Sequence, residues 1–243
     1  MLLPLLQWFY PRSCLGCGME RPRALRFLCW DCWSLVRRVE LPYCDRCGDT
    51  VVGAVEHAYS CYFCADRTRA YDRARSAVRY SGVMTEVIQE LKYRWGFWLI
   101  PDLVEILYRL IEAEFSDVHY DAVVPIPLHI ARRRRRGYNQ SALLARALAK
   151  RLQVAYAGSW AKRVKATPTQ KHLTAAERKS NDAAALGVVR RDSVNGKTLL
   201  VVDDVITTGA TVYAFAKTLR GAGEKAVDVV SVCRGCGWVR RRR

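Results

Sequence analysis

The stretch Thr198-Leu199-Leu200-Val201-Val202-Asp203-Asp204-Val205-Ile206-Thr207-Thr208-Gly209-Ala210-Thr211 decides the fold. An apolar run, Thr198 to Val202, ends in two adjacent carboxylates, and a loop of hydroxyl residues and glycine follows. Val212, Phe215, Ala216 and Leu219 then recur at helical spacing, with Gly221 and Gly223 past the end. The pattern predicts strand, phosphate loop, helix. Free backbone N–H groups at a helix N-terminus attract anions. Gly209 would let the backbone approach a phosphate closely, and Thr207, Thr208 and Thr211 add hydroxyl donors. Paired carboxylates repel phosphate but suit a sugar diol, so the expected ligand carries both a phosphate and a ribose. An ordinary strand-to-helix turn needs one cap and not this whole series.

The segment resembles the PRPP-binding motif of type I phosphoribosyltransferases: four apolar residues, Asp-Asp, two apolar residues, then Thr-Thr-Gly-Ala-Thr. The resemblance implies that Asp203 and Asp204 take the ribose hydroxyls of PRPP. It implies that Thr207, Thr208, Gly209, Ala210 and Thr211 hold the 5′-phosphate. Neither a Gly-x-x-x-x-Gly-Lys-Ser/Thr loop nor a Gly-x-Gly-x-x-Gly turn after a strand occurs in the chain.

Eight of the ten cysteines form four Cys-x-x-Cys pairs: Cys14/Cys17, Cys29/Cys32, Cys44/Cys47 and Cys61/Cys64. Four such knuckles predict one or two structural Zn²⁺ ions. Disulfides would need an oxidising compartment, and nothing in the sequence directs export. Sequential and interleaved ligand pairing both remain open. Cys233 and Cys236, at the end of an apolar run, are too few for a zinc site and read as a buried or incidental thiol pair.

The formal net charge of +17 favours polyanionic partners such as nucleic acid, PRPP or anionic lipid. Each Zn²⁺ held by four thiolates would lower it by two, which leaves the chain strongly basic. The densest runs are Arg132 to Arg136 and Arg240 to Arg243; the second reads as a frayed tail. No apolar run is long enough for an integral membrane segment. Met1 to Tyr10 is apolar without a basic start and reads as a segment packing on the body. The expected location is the cytoplasm, with a peripheral place at the inner face of the membrane left open.

Two parts are expected: a zinc-binding module at 1–68 and an α/β domain at 69–243. The aromatic residues of the module (Trp30, Trp33, Tyr43, Tyr59, Tyr62 and Phe63) suit a small core, or the stacking of bases. Downstream, strands are expected at Ala77 to Tyr80, Ala122 to Ile126, Thr198 to Val202 and Val227 to Val232. Helices are expected at Val83 to Tyr93, around Leu103 to Ile111, and from an Asn139 cap to Leu152. The alternation argues for an open, mostly parallel sheet with its ligand beyond the carboxyl ends of the strands.

Two further blocks bear on that ligand. Pro125-Ile126-Pro127 is a rigid turn where a pyrophosphate could sit, and the arginines up to Arg136 would neutralise it. Lys162 to Gln170, followed by Leu173 and Arg178, is basic without apolar periodicity and suits a mobile loop.

With these blocks the whole chain resembles the ComF family of competence proteins. The resemblance rests on Tyr10-Pro11-Arg12-Ser13-Cys14, Tyr71 to Arg75, Leu91-Lys92-Tyr93 and Val124 to His129. It rests also on Arg136-Gly137-Tyr138-Asn139-Gln140 and on Thr167-x-x-Gln170-x-x-Leu173 with Arg178 and Asn181. It implies a double zinc-ribbon module on a type I phosphoribosyltransferase fold, PRPP bound with Mg²⁺, and the handling of single-stranded DNA in natural transformation, alongside competence-machinery proteins. The chain departs from the family at Ala185-Leu186-Gly187 and at the aromatic Trp95-Gly96-Phe97-Trp98.

Three functions fit. The preferred one is a PRPP-binding factor that acts on single-stranded DNA. A second is an active phosphoribosyltransferase, in which Mg²⁺ with Lys162, Arg163 or Lys165 would stabilise departing pyrophosphate. That reading lacks an evident acceptor pocket, and His129 and His172 are weak acid–base candidates. The third is a PRPP-sensing regulator without turnover.

Overall fold

The computed structural model describes residues 13–20, 27–51, 53, 55, 58–65, 70–128, 130–163, 186–188 and 190–235. In chain order its strands are β1 (Ala74–Arg79), β2 (Ala122–Pro125), β3 (Ala155–Tyr156), β4 (Ala161–Arg163), β5 (Leu186–Val188), β6 (Thr198–Ile206) and β7 (Ala226–Arg234). Its helices are α1 (Trp30–Ser34), α2 (Tyr62–Ala65), α3 (Val83–Tyr93), α4 (Ile100–Glu114), α5 (Ile130–Arg136), α6 (Gln140–Leu152), α7 (Arg191–Val194) and α8 (Ala210–Arg220). A 3-10 turn, Phe97–Leu99, leads into α4.

Five strands make one parallel sheet in the order β1-β7-β6-β2-β3, while β4 and β5 pair antiparallel apart from it. The central strands are apolar on both faces, as parallel strands buried between helices must be. Leu200, Val202, Val230 and Val232 pack with α3, α4 and α6. Leu199, Val201, Val227 and Val229, their alternating neighbours, pack with Val212, Phe215, Ala216 and Leu219 of α8. The expected mostly parallel α/β sheet is therefore present. The expected strand at Ala77 to Tyr80 starts earlier, at Ala74, and β6 runs on to Ile206 instead of ending at Val202.

That extension creates the crevice. On one side β6 stays paired with β7 as far as Ile206 opposite Arg234. On the other side β2 stops at Pro125 opposite Val202, with one further bond from Ile126 N–H to the Val202 carbonyl at 3.1 Å. The ladder between β2 and β6 ends with that bond. Beyond Val202, β6 has lost its β2 neighbour, and Asp203 and Asp204 stand where that strand has left.

The cysteine-rich segment packs on the opposite edge of the sheet. Val39 N–H donates to the Ala77 carbonyl at 3.1 Å and Arg79 N–H to the Arg37 carbonyl at 2.7 Å, so residues 37–39 cover the open side of β1. Phe27, Leu28, Cys14 and Cys29 are buried in one cluster with Val78, Met84 and Leu103. Phe27 N–H also donates to the buried Asp102 carboxylate of α4 at 3.2 Å. Of the module's aromatic residues, Tyr43 is buried and Trp33 and Tyr59 pack against the clusters, as a small core requires. Trp30 and Tyr62 are exposed.

Candidate functional site

At the carboxyl end of β6, the loop Thr207 to Gly209 leads into the N-terminus of α8. Thr207, Thr208, Ala210 and Thr211 are exposed there. Gly209 has φ 71°, a left-handed conformation that disfavours any side chain, and the space a Cβ would enter is open. A ligand can therefore reach the backbone N–H groups of the first turn of α8 directly. The N-cap Gly209 offers no side chain, Thr208 Oγ1 only grazes Ala210 N–H at 3.5 Å, and the first turn carries no acidic residue. These facts leave its partial positive charge available to an anion.

The carboxylates beneath are held from two helices. Asn139 caps α6, its side-chain oxygen accepting from Ser141 N–H at 3.1 Å, and its amide donates to the Ile126 carbonyl at 3.0 Å. The cap sets the first turn of α6 against the end of β6. Ser141 Oγ donates to Asp203 at 2.8 Å, and Gln140 Nε2 donates to Asp204 at 3.1 Å. From α3, Lys92 Nζ lies 2.5 Å from the second oxygen of Asp204. Asp204 is 3% exposed, whereas Asp203 is half-buried.

Desolvation, with the charge of Asp204 next to it, pushes Asp203 up to about 8, although Ser141 opposes the rise. Burial works to lower Lys92, but Asp204 and then Asp203 outweigh it and hold the ammonium above its usual range. One acid that keeps its proton near neutrality thus stands beside a fixed ion pair. The folded chain keeps a proton on Asp203 that the unfolded chain gives up near its ordinary value of about 4. The stability contributed by this group therefore falls as pH rises from about 4 towards 8.

The two site residues expected outside this motif lie at its margin. Pro125 ends β2 beside β6. Arg136 closes α5, donates to Gln140 at 3.1 Å and to the Tyr93 hydroxyl at 3.1 Å, and so joins the network through Gln140. The arginine run, for which the sequence predicted no element, lies in helix α5. Lys162 and Arg163 belong to β4, paired with β5, so the basic segment begins as a strand and not as a loop. Lys165, the rest of that segment through Arg178 and Asn181, His129, His172 and Cys236 lie outside the described residues. Cys233 is a buried core residue whose thiol is pushed up by burial, in keeping with an inert hydrophobe.

Lys92, Gln140 and Ser141 were not singled out by the sequence as site residues. Lys92 and Gln140 fall in the blocks Leu91-Lys92-Tyr93 and Arg136 to Gln140, with Ser141 next in line, but only the packing of α3 and α6 brings them to the carboxylates.

The cysteines form two groups, Cys14/Cys17/Cys29/Cys32 and Cys44/Cys47/Cys61/Cys64, with the sulfurs of each group within 4.8 Å of one another. The pairing is sequential, which resolves the alternative left open by the sequence. Cys17 and Cys29 sulfurs lie 3.9 Å apart and those of Cys47 and Cys61 3.7 Å apart. A tetrahedral Zn²⁺ with bonds of about 2.3 Å requires sulfur separations of about 3.8 Å. Backbone N–H groups of Gly16 and Cys29 point at Cys14 Sγ, each at 3.3 Å, and Cys61 N–H points at Cys44 Sγ at 3.3 Å, as thiolate ligands require. All eight residues fit structural zinc. The second group is tied to the sheet: Arg234 of β7, buried, donates to the Cys47 carbonyl at 3.0 Å and pairs with Asp49 at 3.3 Å. Arg46 reaches the Cys64 carbonyl at 2.7 Å, and Arg75 reaches the Asp45 carbonyl at 2.8 Å.

Comparison with known proteins agrees with both halves. The double zinc ribbon domain family matches residues 5–65, and the phosphoribosyl transferase domain family matches residues 138–242. Competence protein F of Haemophilus influenzae is 30% identical over 93% of this chain and 98% of its own length. DNA utilization protein YhgH of Salmonella typhimurium is 32% identical over 92% of this chain and 97% of its own. Competence protein ComFC of Bacillus subtilis is 27% identical over 82% of this chain and 80% of its own. The chain belongs to the ComF family, in which a double zinc ribbon accompanies a phosphoribosyltransferase domain.

Proposed function

We propose that the chain binds PRPP, with Mg²⁺, in the crevice at the end of β6 and handles single-stranded DNA in the cytoplasm during DNA uptake. The observation that carries this reading is the juxtaposition of the open loop Thr207 to Thr211 with the Asp203–Asp204 pair held by Ser141, Gln140 and Lys92. The loop and the helix N-terminus suit the 5′-phosphate, and Asp203 and Asp204 suit the ribose hydroxyls. Arg136 stands near enough to the network to serve the pyrophosphate. The family membership and the names of the relatives support a role in competence. The division near residue 68 belongs to the same reading, with two zinc ribbons docked on one edge of a nucleotide-binding sheet.

Calorimetric titration with Mg-PRPP, then with a single-stranded oligonucleotide at two salt concentrations, tests the proposal. PRPP is expected to bind in the crevice. DNA affinity is expected to fall steeply with salt, with a slope of about −0.7 in log–log form for each phosphate neutralised. DNA binding that ignores salt, or no binding at all, would remove the DNA half of the reading.

The PRPP half has a pH signature. Asp203 accepts a ribose hydroxyl best when ionised, and it holds its proton up to about 8. Affinity for Mg-PRPP is expected to rise by up to about fivefold between pH 7 and pH 8, to gain about a further twofold by pH 9, and to level off above that. Replacing Asp203 with asparagine should flatten the profile. A flat profile in the unaltered protein would take Asp203 out of the ligand's contacts.

A further inference from the structure

Beside the crevice lies a second feature that the PRPP reading leaves unused. Trp95 follows α3 at φ 59°, a left-handed conformation that costs a bulky residue roughly 1–2 kcal/mol. Trp95 is nevertheless 60% exposed, and Tyr93 and Phe97 beside it are 53% and 39% exposed. The ring is held by other aromatic residues and not by a core. Its centroid lies 5.1 Å from that of Tyr138 and 5.6 Å from that of Phe97, and Phe97 stands edge-on to Tyr138 at 4.8 Å. Gly137, at φ 80°, leaves room for the indole, since a Cβ there would come within 3.0 Å of it. Strained backbone supporting an exposed, pre-positioned aromatic ring is a pattern found at binding sites.

Tyr93 and Trp95 border a cavity of about 230 Å³, lined also by Lys92, Arg134, Arg135 and Arg136, while Phe97 and Tyr138 back the indole. That is small for a ligand pocket, which favours a single flat group over a larger ligand. Its chemistry has two halves: aromatic faces on one side and consecutive arginines of α5 on the other. Arg132, Arg133, Arg134 and Arg135 are exposed, and Arg136 stacks on Tyr93 at 4.8 Å with its Nε buried and without a partner. Aromatic planes interleaved with cations match the two parts of a single-stranded nucleotide, a flat base and an anionic backbone. A duplex keeps its base faces covered and would leave the rings unused. A lipid surface would call for an apolar protrusion and not a concave pocket lined with arginines.

We infer that Trp95, with Tyr93, Phe97 and Tyr138 around it, stacks one base of single-stranded DNA while the exposed Arg134 and Arg135 hold the flanking phosphates and Arg136 stays with the PRPP site. The inference rests on the single-stranded DNA half of the proposed function and names its site. Lys92 lines this cavity and also pairs with Asp204, so the base would lie directly beside the PRPP crevice.

The test compares a short oligothymidylate with an abasic oligonucleotide of equal length, which carries the same phosphates and no bases. The full-length protein is expected to bind the oligothymidylate more tightly. Trp95→Ala should lose about 5- to 100-fold of that affinity, the range for one stacked base. Its affinity for the abasic strand and for Mg-PRPP should stay as it was. Trp95→Gly removes the ring and also relieves the positive φ, so it gives the same result even where the alanine variant folds poorly. Trp95→Phe should retain most of the binding. Undiminished oligothymidylate binding by both ring-less variants overturns the site while the single-stranded DNA reading stands. Equal affinity of the unaltered protein for the two oligonucleotides overturns stacking in the same way. Loss of binding to anionic vesicles with unchanged oligothymidylate binding would assign the rings to a membrane surface and overturn the inference. Failure of the unaltered protein to bind either oligonucleotide overturns both readings together.

Discussion

Replacing Asp203 and Asp204 together with asparagine is expected to weaken Mg-PRPP binding by roughly 100-fold or more, equivalent to about 2.8 kcal/mol, with zinc content unchanged. Both residues lie in the crevice that opens where β2 leaves β6. The carboxylate charge of Asp204, joined by that of Asp203 once it ionises, is the element of the site that a sugar diol and a Mg²⁺ ion would recognise. The substitution has a second effect that must be separated from the first. Asp204 is buried against Lys92 at 2.5 Å, and a buried ammonium deprived of its counter-charge costs about 3–5 kcal/mol. Adding Lys92→Met removes the orphaned charge. Thermal stability is then expected to recover, while PRPP affinity is not. Calorimetry and thermal melting of the double and triple variants provide the check, and a folded variant that keeps its PRPP affinity refutes the assignment of the site.

Complete removal of zinc is expected to unfold residues 1–68 and to lower the melting temperature of the rest of the chain. Structural zinc in small modules contributes about 10–16 kcal/mol, comparable to or larger than the roughly 5–15 kcal/mol by which whole domains are stable. The damage spreads because the ribbons share packing with the sheet. Cys14 and Cys29 are buried in one cluster with Met84 and Leu103, and Cys44, Cys47 and Cys64 are buried with Tyr71, Ala74 and Val229. Arg234, one strand-end away from the phosphate loop, spends its hydrogen bonds on Cys47 and Asp49. Metal analysis alongside thermal melts, with and without a strong chelator, measures the effect. An unchanged melt after complete loss of zinc would show the ions to be dispensable.

Elements whose signal is local were legible from the chain. The helix Val83–Tyr93 has its expected bounds, Asn139 caps the following helix as its side chain predicts, and the buried face of α8 is the one its spacing indicates. The loop and its carboxylates stand out because paired acids followed by hydroxyls and glycine are more than a strand-to-helix turn needs. Arg132 to Arg136 gave no such signal: a run of one residue type has no periodicity, so its helix escaped. The length of β6 was also missed, because two acidic residues read as the end of a strand. Pairing with β7 carries the strand through them.

By itself the sequence determined the α/β class, the family and the zinc-ligand chemistry. Each of these is written in neighbouring residues, or in residues a fixed number of positions apart. Tertiary structure decided which cysteines group together, since four knuckles admit more than one pairing and only the chain path selects the sequential one. It also decided the network around the carboxylates. Lys92, Gln140 and Ser141 come from two helices, and their ion pair and hydrogen bonds exist only once those helices pack on the sheet. The ring cluster at Trp95 has the same origin: Tyr138 is far from it in sequence, and the left-handed turn after α3 brings the rings together.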